Sequence, residues 1–268
     1  TDPTLQVEVY ERGVINLLTM KTLSKLWPSV GKFIDEYFFW SISTMLKSLR
    51  IARQYTHVIT CSQPHSVHYI GLFLKKIYPH LSWVVHASDP IANNPYENLG
   101  FFSSKYRIFL ERCIVRNADL VITTTPQYKK NLSINSPHFP LHKIVFIPGV
   151  LQSPSMKQKV NSKYFRIVHT GNLYGLRNLE QFENAINWIK ENNPEVLMRI
   201  QFSLVGDLSS HNRKTALRVS ELVQTNIVGS RMSHVETNDF CLNADLLLTI
   251  EAPLENNPFF PSKILDYL

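Results

Sequence analysis

Three glycines sit where an apolar run gives way to a loop: Gly171 in VHTGNLYGLRN (168–178), Gly206 in SLVGD (203–207) and Gly229 in VGSRM (228–232). A strand, a glycine turn and a helix N-terminus form a geometry that binds phosphate, because bare backbone and free N–H groups can approach an anion. Arg177, six residues after Gly171, adds a planar fork of donors that matches phosphate oxygens. A plain strand-to-helix turn would carry the same letters. The chain has no GxG anywhere, so neither a dinucleotide fingerprint nor a P-loop is present. Near the end, Pro261-Ser262-Lys263 is followed by Asp266. Proline suits the first turn of a helix, and an i, i+3 spacing puts Lys263 and Asp266 on one face. They read either as a cation for a diphosphate with a carboxylate for ribose hydroxyls, or as a surface ion pair worth almost nothing.

The elements that must position these residues alternate. Apolar runs rich in β-branched residues occur at 57–60, 82–86, 120–123, 143–147, 165–169, 200–205 and 246–250. Each is bounded by turn formers or polar residues, as buried parallel strands are. Amphipathic spacing predicts helices over 66–76, 105–117 and 178–191. Strand alternating with helix implies an α/β protein with parallel sheets. Residues 148–163 hold two prolines, several serines and no apolar period. The division expected is a first domain over 1–150, a linker over 151–163 and a second domain over 164–268. In two such doubly wound domains, ligands bind at the carboxyl ends of the strands, and the cleft between the domains is the natural site.

Composition narrows the classes. The 268 residues are 44% hydrophobic and carry a net charge of +7, with a pI of about 9.2. A basic balance favours anionic partners, but the Lys and Arg residues are dispersed, which argues against nucleic acid. Three widely spaced cysteines with no CxxC exclude a disulfide framework and a zinc site, and fit a reducing compartment. The Asn131-Leu132-Ser133 sequon is then incidental. No apolar run is long enough for a transmembrane helix. Residues 32–53 interleave Phe, Tyr, Trp and Ile with Lys47, Arg50 and Arg53. They read first as a core helix with a basic C-terminal end, and second as a helix lying on an anionic membrane.

Taken in order, ADLVITTT (118–125), KIVFIPGV (143–150), HTGNLYGLRN (169–178), LVGD (204–207), ADLLLTI (244–250) and PSKILDYL (261–268) resemble the GT-B glycosyltransferases, close to the retaining family 4. The resemblance covers roughly residues 55–268. It implies two Rossmann-like domains facing a cleft, with a nucleotide-sugar donor held by the second. On that pattern Gly171 and Arg177 meet the diphosphate and Lys263 is a further phosphate ligand. Asp266 holds the ribose, and the backbone at Arg231 and Met232 meets the base. Asn172 and Ser262 join them as donor-binding candidates. Cations there neutralise the departing nucleoside diphosphate, so no metal or other cofactor is expected, and the chain has no Asp-x-Asp.

The pattern is not complete. The family's second carboxylate is Asp266, but eight positions earlier stands Pro258, with Glu251 and Glu255 as the substitutes within reach. The family's Arg/Lys pair after the glycine is reduced to Arg177. In the first domain WVVHASDP (83–90) ends a strand where similar transferases place a His or Asp beside the acceptor hydroxyl, making His86 and Asp89 catalytic candidates. His65 and His68 are expected to be exposed at a helix start. The chain opens without Met and its last helix has no C-cap, so a fragment, truncated at both ends, is expected.

The activity implied is transfer of a hexose-type sugar from a nucleotide-sugar to a glycan or lipid-linked acceptor. It would serve cell-surface polysaccharide synthesis in the cytoplasm or at the inner membrane face, with peripheral contact to anionic lipid. A non-catalytic GT-B module that binds a partner, and a GT-B nucleotide-sugar epimerase, are the alternatives.

Overall fold

The computed structural model describes residues 35, 37–149, 162–229 and 232–267. They divide into two units. The first ends at Pro148 and takes in Pro258–Phe260; the second runs from Gly149 to Asn257 and resumes at Pro261. Most of the linker expected at 151–163 lies outside the described residues.

In the first unit helix α1 (Phe38–Ala52) precedes strand β1 (His57–Cys61), α2 (Val67–Ile77), β2 (Ser82–Ala87), α3 (Phe101–Asn117), β3 (Leu120–Thr123), α4 (Pro126–Asn135) and β4 (Ile144–Phe146). The four strands pair in sequence order, all parallel, with Val85 beside both Thr60 and Val121. Alternate residues of β2 and β3 face inward, so Trp83, Val85 and Val121 meet Ile114 of α3 and Leu132 of α4 in one core. Helix α4 begins where Thr125 accepts the Tyr128 N–H and Pro126 opens the first turn, the capping expected for such a start. Helix α1 buries Ser41, Thr44 and Ala52, and its partly buried Trp40, Met45 and Leu49 pack with Leu74 and Leu81. Its Leu46, Lys47 and Arg50 remain in solvent.

His65 and His68 are not exposed as expected from the sequence. They are 6% and 0% exposed. For His68 the reason is a polar thread through the core: Trp83 Nε1 donates to Thr60 Oγ1 at 2.9 Å, and Thr60 Oγ1 meets His68 Nδ1 at 2.9 Å, whereas both ring nitrogens of His65 are buried without a hydrogen-bond partner. A partner inside lets a polar helix start turn towards the sheet. Burial lowers His68 from 6.5 to about 3, and burial with the Arg107 charge lowers His65 to about 4.

In the second unit β5 (Phe165–Thr170), α5 (Glu180–Asn192), the short α6 (Pro194–Leu197), β6 (Ile200–Val205), α7 (Ser210–Ser220), β7 (Gln224–Val228), α8 (His234–Leu242), β8 (Leu246–Leu247) and α9 (Lys263–Tyr267) follow in turn. The parallel sheet runs β7-β6-β5-β8. Phe202, Leu204, Leu173, Ile186 and Val219 form its core. The polar QTNIV of β7 is apolar only at Ile227 and Val228, so the sequence marks the end of this edge strand before Gly229 but not its extent. The run at 246–250 contributes only two residues to the ladder. Beyond Leu247 side chains take over the pairing: His169 Nδ1 donates to the Leu248 carbonyl at 2.8 Å, and the Thr170 N–H donates to Tyr267 Oη at 3.1 Å.

The buried histidines fix a pH dependence. His65, His68 and His169 have folded values of about 4, 3 and 4 against an ordinary 6.5, so below 6.5 the unfolded chain binds more protons than the folded one. Stability is therefore lost as pH falls from 6.5 towards 4. Glu111 opposes this, because burial raises it from 4.5 to about 7 and acidification relieves its buried charge. Three groups against one leave a net loss. Calorimetric melting should fall between pH 7 and 5; a flat or rising melting temperature would contradict these assignments.

Candidate functional site

The carboxyl ends of β5, β6 and β7 carry the three glycine loops. Together with α9 they enclose a pocket of about 380 Å³ lined by Thr170, Gly171, Asn172, Gly206, Met232 and Lys263, with Gly229, Thr237 and Ser262 also on its wall. Of the donor candidates read from the sequence, Gly171, Asn172, Met232, Ser262 and Lys263 thus share one concavity. Arg231 lies outside the described residues, and of Asp266 only the backbone, within α9, is described.

Two glycines owe their identity to this floor. Gly171 has φ +108°, and a Cβ on it would lie 2.8 Å from Lys263 Nζ, so the ammonium rests on bare backbone. Gly206 has φ +139°, and its Cβ would stand 2.5 Å from the Gly171 carbonyl oxygen. The loops are further tied by the Asp207 N–H, which donates to Asn172 Oδ1 at 2.8 Å. Helix α9 is held in register by Tyr267, whose hydroxyl meets both the N–H and Oγ1 of Thr170. This anchor brings Lys263 over Gly171. The sequence reading gave Tyr267 no role, and an aromatic with a polar tip at the end of an apolar stripe was the available signal.

Arg177 does not line that pocket. It donates from Nε to Glu251 Oε2 at 3.0 Å, with a second nitrogen also at 3.0 Å, and its guanidinium lies 5.5 Å from the Tyr174 ring. Both partners are largely buried, at 16% and 18% side-chain exposure. Glu251 Oε1 has no hydrogen-bond partner and the residue borders a second hollow lined by Asn178, Gln181, Thr249 and Pro253. Of the two substitutes for the absent first carboxylate, Glu251 is in this cluster and Glu255 is exposed. Pro258 lies in the first unit, its carbonyl accepting from Thr125 Oγ1.

The electrostatics bind the cluster together. Burial lowers the Lys263 pKa, the Glu251 charge opposes this and Arg177 adds to it. Two cations facing one carboxylate leave a positive site that an anion would relieve. Beneath it His169 is fully buried. A carbonyl only accepts, so the bond to Leu248 places the proton of the neutral ring on Nδ1. Burial, then the Lys263 charge, lowers His169 to about 4 and keeps it neutral.

The acceptor-side candidates stand at the carboxyl ends of the first sheet. His86 is the penultimate residue of β2 and is half-buried, as is Asp89. The His86 carbonyl accepts the Ser62 N–H at 3.0 Å, Ser88 Oγ donates to the Ser62 carbonyl at 2.6 Å, and Thr124 Oγ1 donates to the Ser88 carbonyl at 2.8 Å. The loop after Asp89 is pinned from inside: Tyr128 Oη accepts from Ile91 and Glu111 Oε2 accepts from Ala92, both at 3.1 Å. No group of three or more His, Cys, Asp or Glu suited to a metal occurs among the described residues.

No protein-family model and no curated protein matches the chain. Solved structures do. One is the E. coli trehalose-6-phosphate protein bound with UDP-2-fluoro glucose, with a TM-score of 0.64 and 10% identity over 94% of this chain and 66% of that one. The fold is GT-B. The GT-B likeness extends to the N-terminal domain of Candida albicans trehalose-6-phosphate phosphatase, with a TM-score of 0.58 and 12% identity over 91% of this chain and 62% of that one. It extends also to an alpha,alpha-trehalose-phosphate synthase (UDP-forming) from Burkholderia vietnamiensis, with a TM-score of 0.55 and 9% identity over 84% and 60%. The chain spans less than two thirds of the length of each of these GT-B structures. At such identities the likeness is one of fold, and a GT-B frame hosts its chemistry in the site rather than in the topology.

Proposed function

We propose that the chain is the catalytic portion of a glycosyltransferase, and that its second unit binds the diphosphate of a nucleotide-sugar between the Gly171 and Gly206 loops and Lys263. The observation that carries this reading is the Lys263 ammonium seated on Gly171 at the mouth of three glycine loops, all at strand carboxyl ends. There an incoming phosphate finds backbone it can approach closely and a partly desolvated cation. Arg177, oriented by Glu251, completes the positive field that stabilises the departing diphosphate. Asp266 takes the ribose, the backbone near Met232 the base, and Glu251 the role of the absent first carboxylate. With protein cations in this role the reaction needs no metal. The order of motifs supports a retaining, family 4 type of hexosyl transfer. His86 and Asp89 orient or deprotonate the acceptor hydroxyl, and the acceptor is a glycan or a lipid-linked sugar, as in cell-surface polysaccharide synthesis at the cytoplasmic membrane face.

The test is release of nucleoside diphosphate from a panel of nucleotide-sugars in chelator, with lipid-linked and oligosaccharide acceptors. Turnover should appear with one donor and fall by roughly a hundredfold or more in Arg177→Ala, the scale for removing one charged stabiliser. Because Arg177→Ala leaves the largely buried Glu251 without its guanidinium, melting should also fall, and Arg177→Lys, which keeps the charge, should restore the fold and only part of the turnover. Undiminished turnover in Arg177→Ala would remove that residue from the mechanism, and none with any donor would favour a non-catalytic binding module.

A further inference from the structure

Helix α3 buries one face completely and leaves six residues exposed: Phe101, Phe102, Lys105, Phe109, Arg112 and Arg116. Every one is a phenylalanine or a cation. At 3.6 residues per turn the six fall within an arc of about 100°. The rings are 71%, 77% and 63% exposed. Lys105 Nζ lies 5.6 Å from the centre of the Phe101 ring. The only acid of the helix, Glu111, is fully buried on the opposite side, as is Arg107. Arg112 Nε donates to the Asn135 carbonyl at 2.6 Å, which brings the last turn of α4, with Ile134 65% exposed, alongside this face.

The charge of the chain is concentrated in the same unit. Residues 35–148 hold twelve Lys and Arg against six Asp and Glu, whereas residues 162–267 hold ten against twelve. Three exposed rings, two of them (Phe101 and Phe102) edge to face at 5.6 Å, flanked by long cations and free of acids, match a lipid interface. Phenylalanines enter the boundary between headgroups and acyl chains while Lys and Arg stems keep their charges at the phosphates. Large apolar groups standing in water side by side are otherwise a cost without return.

We propose that the outward face of α3 docks the protein on an anionic lipid bilayer. This differs from the membrane helix suggested by the sequence at 32–53. It uses no residue of the second unit, so it stands or falls apart from the nucleotide reading. The experiment is co-sedimentation of the whole chain with phosphatidylcholine vesicles made with and without phosphatidylglycerol. The wild type should sediment with the anionic vesicles alone and be released by salt. Phe102→Ser with Phe109→Ser, and Lys105→Gln with Arg116→Gln, should each weaken apparent affinity by roughly tenfold or more while melting as the wild type does. Three results would overturn the proposal. One is the absence of anionic-vesicle binding by the wild type, and another is binding undiminished in both double variants. The third is a competing use of the face: a solution dimer, or duplex DNA binding, that the same variants abolish.

Discussion

Gly206→Ala is expected to destabilise the second unit by several kcal/mol and to abolish nucleotide binding with it. The site explains why the loss exceeds that of an ordinary loop substitution. A φ of +139° is not open to alanine without strain, which costs about 1–3 kcal/mol. The added carbon would also stand 2.5 and 2.6 Å from the carbonyl oxygen and carbon of Gly171 and 3.1 Å from the Asn172 nitrogen. These are backbone atoms that cannot swing aside as a side chain would, and overpacking of this kind costs about 1–3 kcal/mol more. The contact is with the loop on which Lys263 rests, so relief requires the two phosphate-facing loops to part and the Asp207–Asn172 bond to break. Urea denaturation would show the loss as a lower midpoint. A midpoint equal to that of the wild type would mean that the loops are not packed as described.

The second large effect lies in the other unit. Gly71→Ala places a methyl 2.2 Å from Trp83 Nε1 and 2.4 Å from its Cε2. Alanine gains about 1 kcal/mol over glycine inside a helix, so the sign depends on whether the indole can yield. It cannot do so cheaply. Trp83 is fully buried and its N–H is committed to Thr60, which also meets His68. Overpacking of about 1–3 kcal/mol and a broken buried hydrogen bond of about 1–3 kcal/mol outweigh the helical gain. A net loss of about 2–4 kcal/mol is expected. Adding Trp83→Phe, which removes the clashing edge, should recover part of it, so the pair should be strongly non-additive. Additive losses would contradict the contact.

Much of the frame is legible because parallel strands buried on both faces advertise themselves as short apolar, β-branched runs. LVIT at 120–123 and IQFSLV at 200–205 coincide with β3 and β6. The edge strand β7 shows only its last two residues, Ile227 and Val228, before Gly229, since only a strand buried on both faces needs a longer apolar run. The length of β8 was not legible either, because its ladder is cut short by His169 and Tyr267, partners far away in sequence. Individual site letters were visible: glycine loops mark close approach, and a lysine after Pro-Ser marks a helix start. What spacing could not reveal is pairing. Arg177 with Glu251, and Tyr267 with Thr170, are separated by 74 and 97 positions. The buried His68 shows the same limit, for a polar residue looks exposed until its internal partner, here Thr60, is known.

The most direct test of the central claim is an equilibrium titration of the whole chain with nucleoside diphosphates carrying each base, in chelator, beside Lys263→Ala. Lys263 is at the pocket wall and only part of its side chain is buried, so the variant should keep its fold. One diphosphate should bind the wild type, and removal of a charge-assisted contact should weaken it roughly ten- to a hundredfold. Equal binding by Lys263→Ala, or no binding of any diphosphate by the wild type, would contradict the assignment of this pocket.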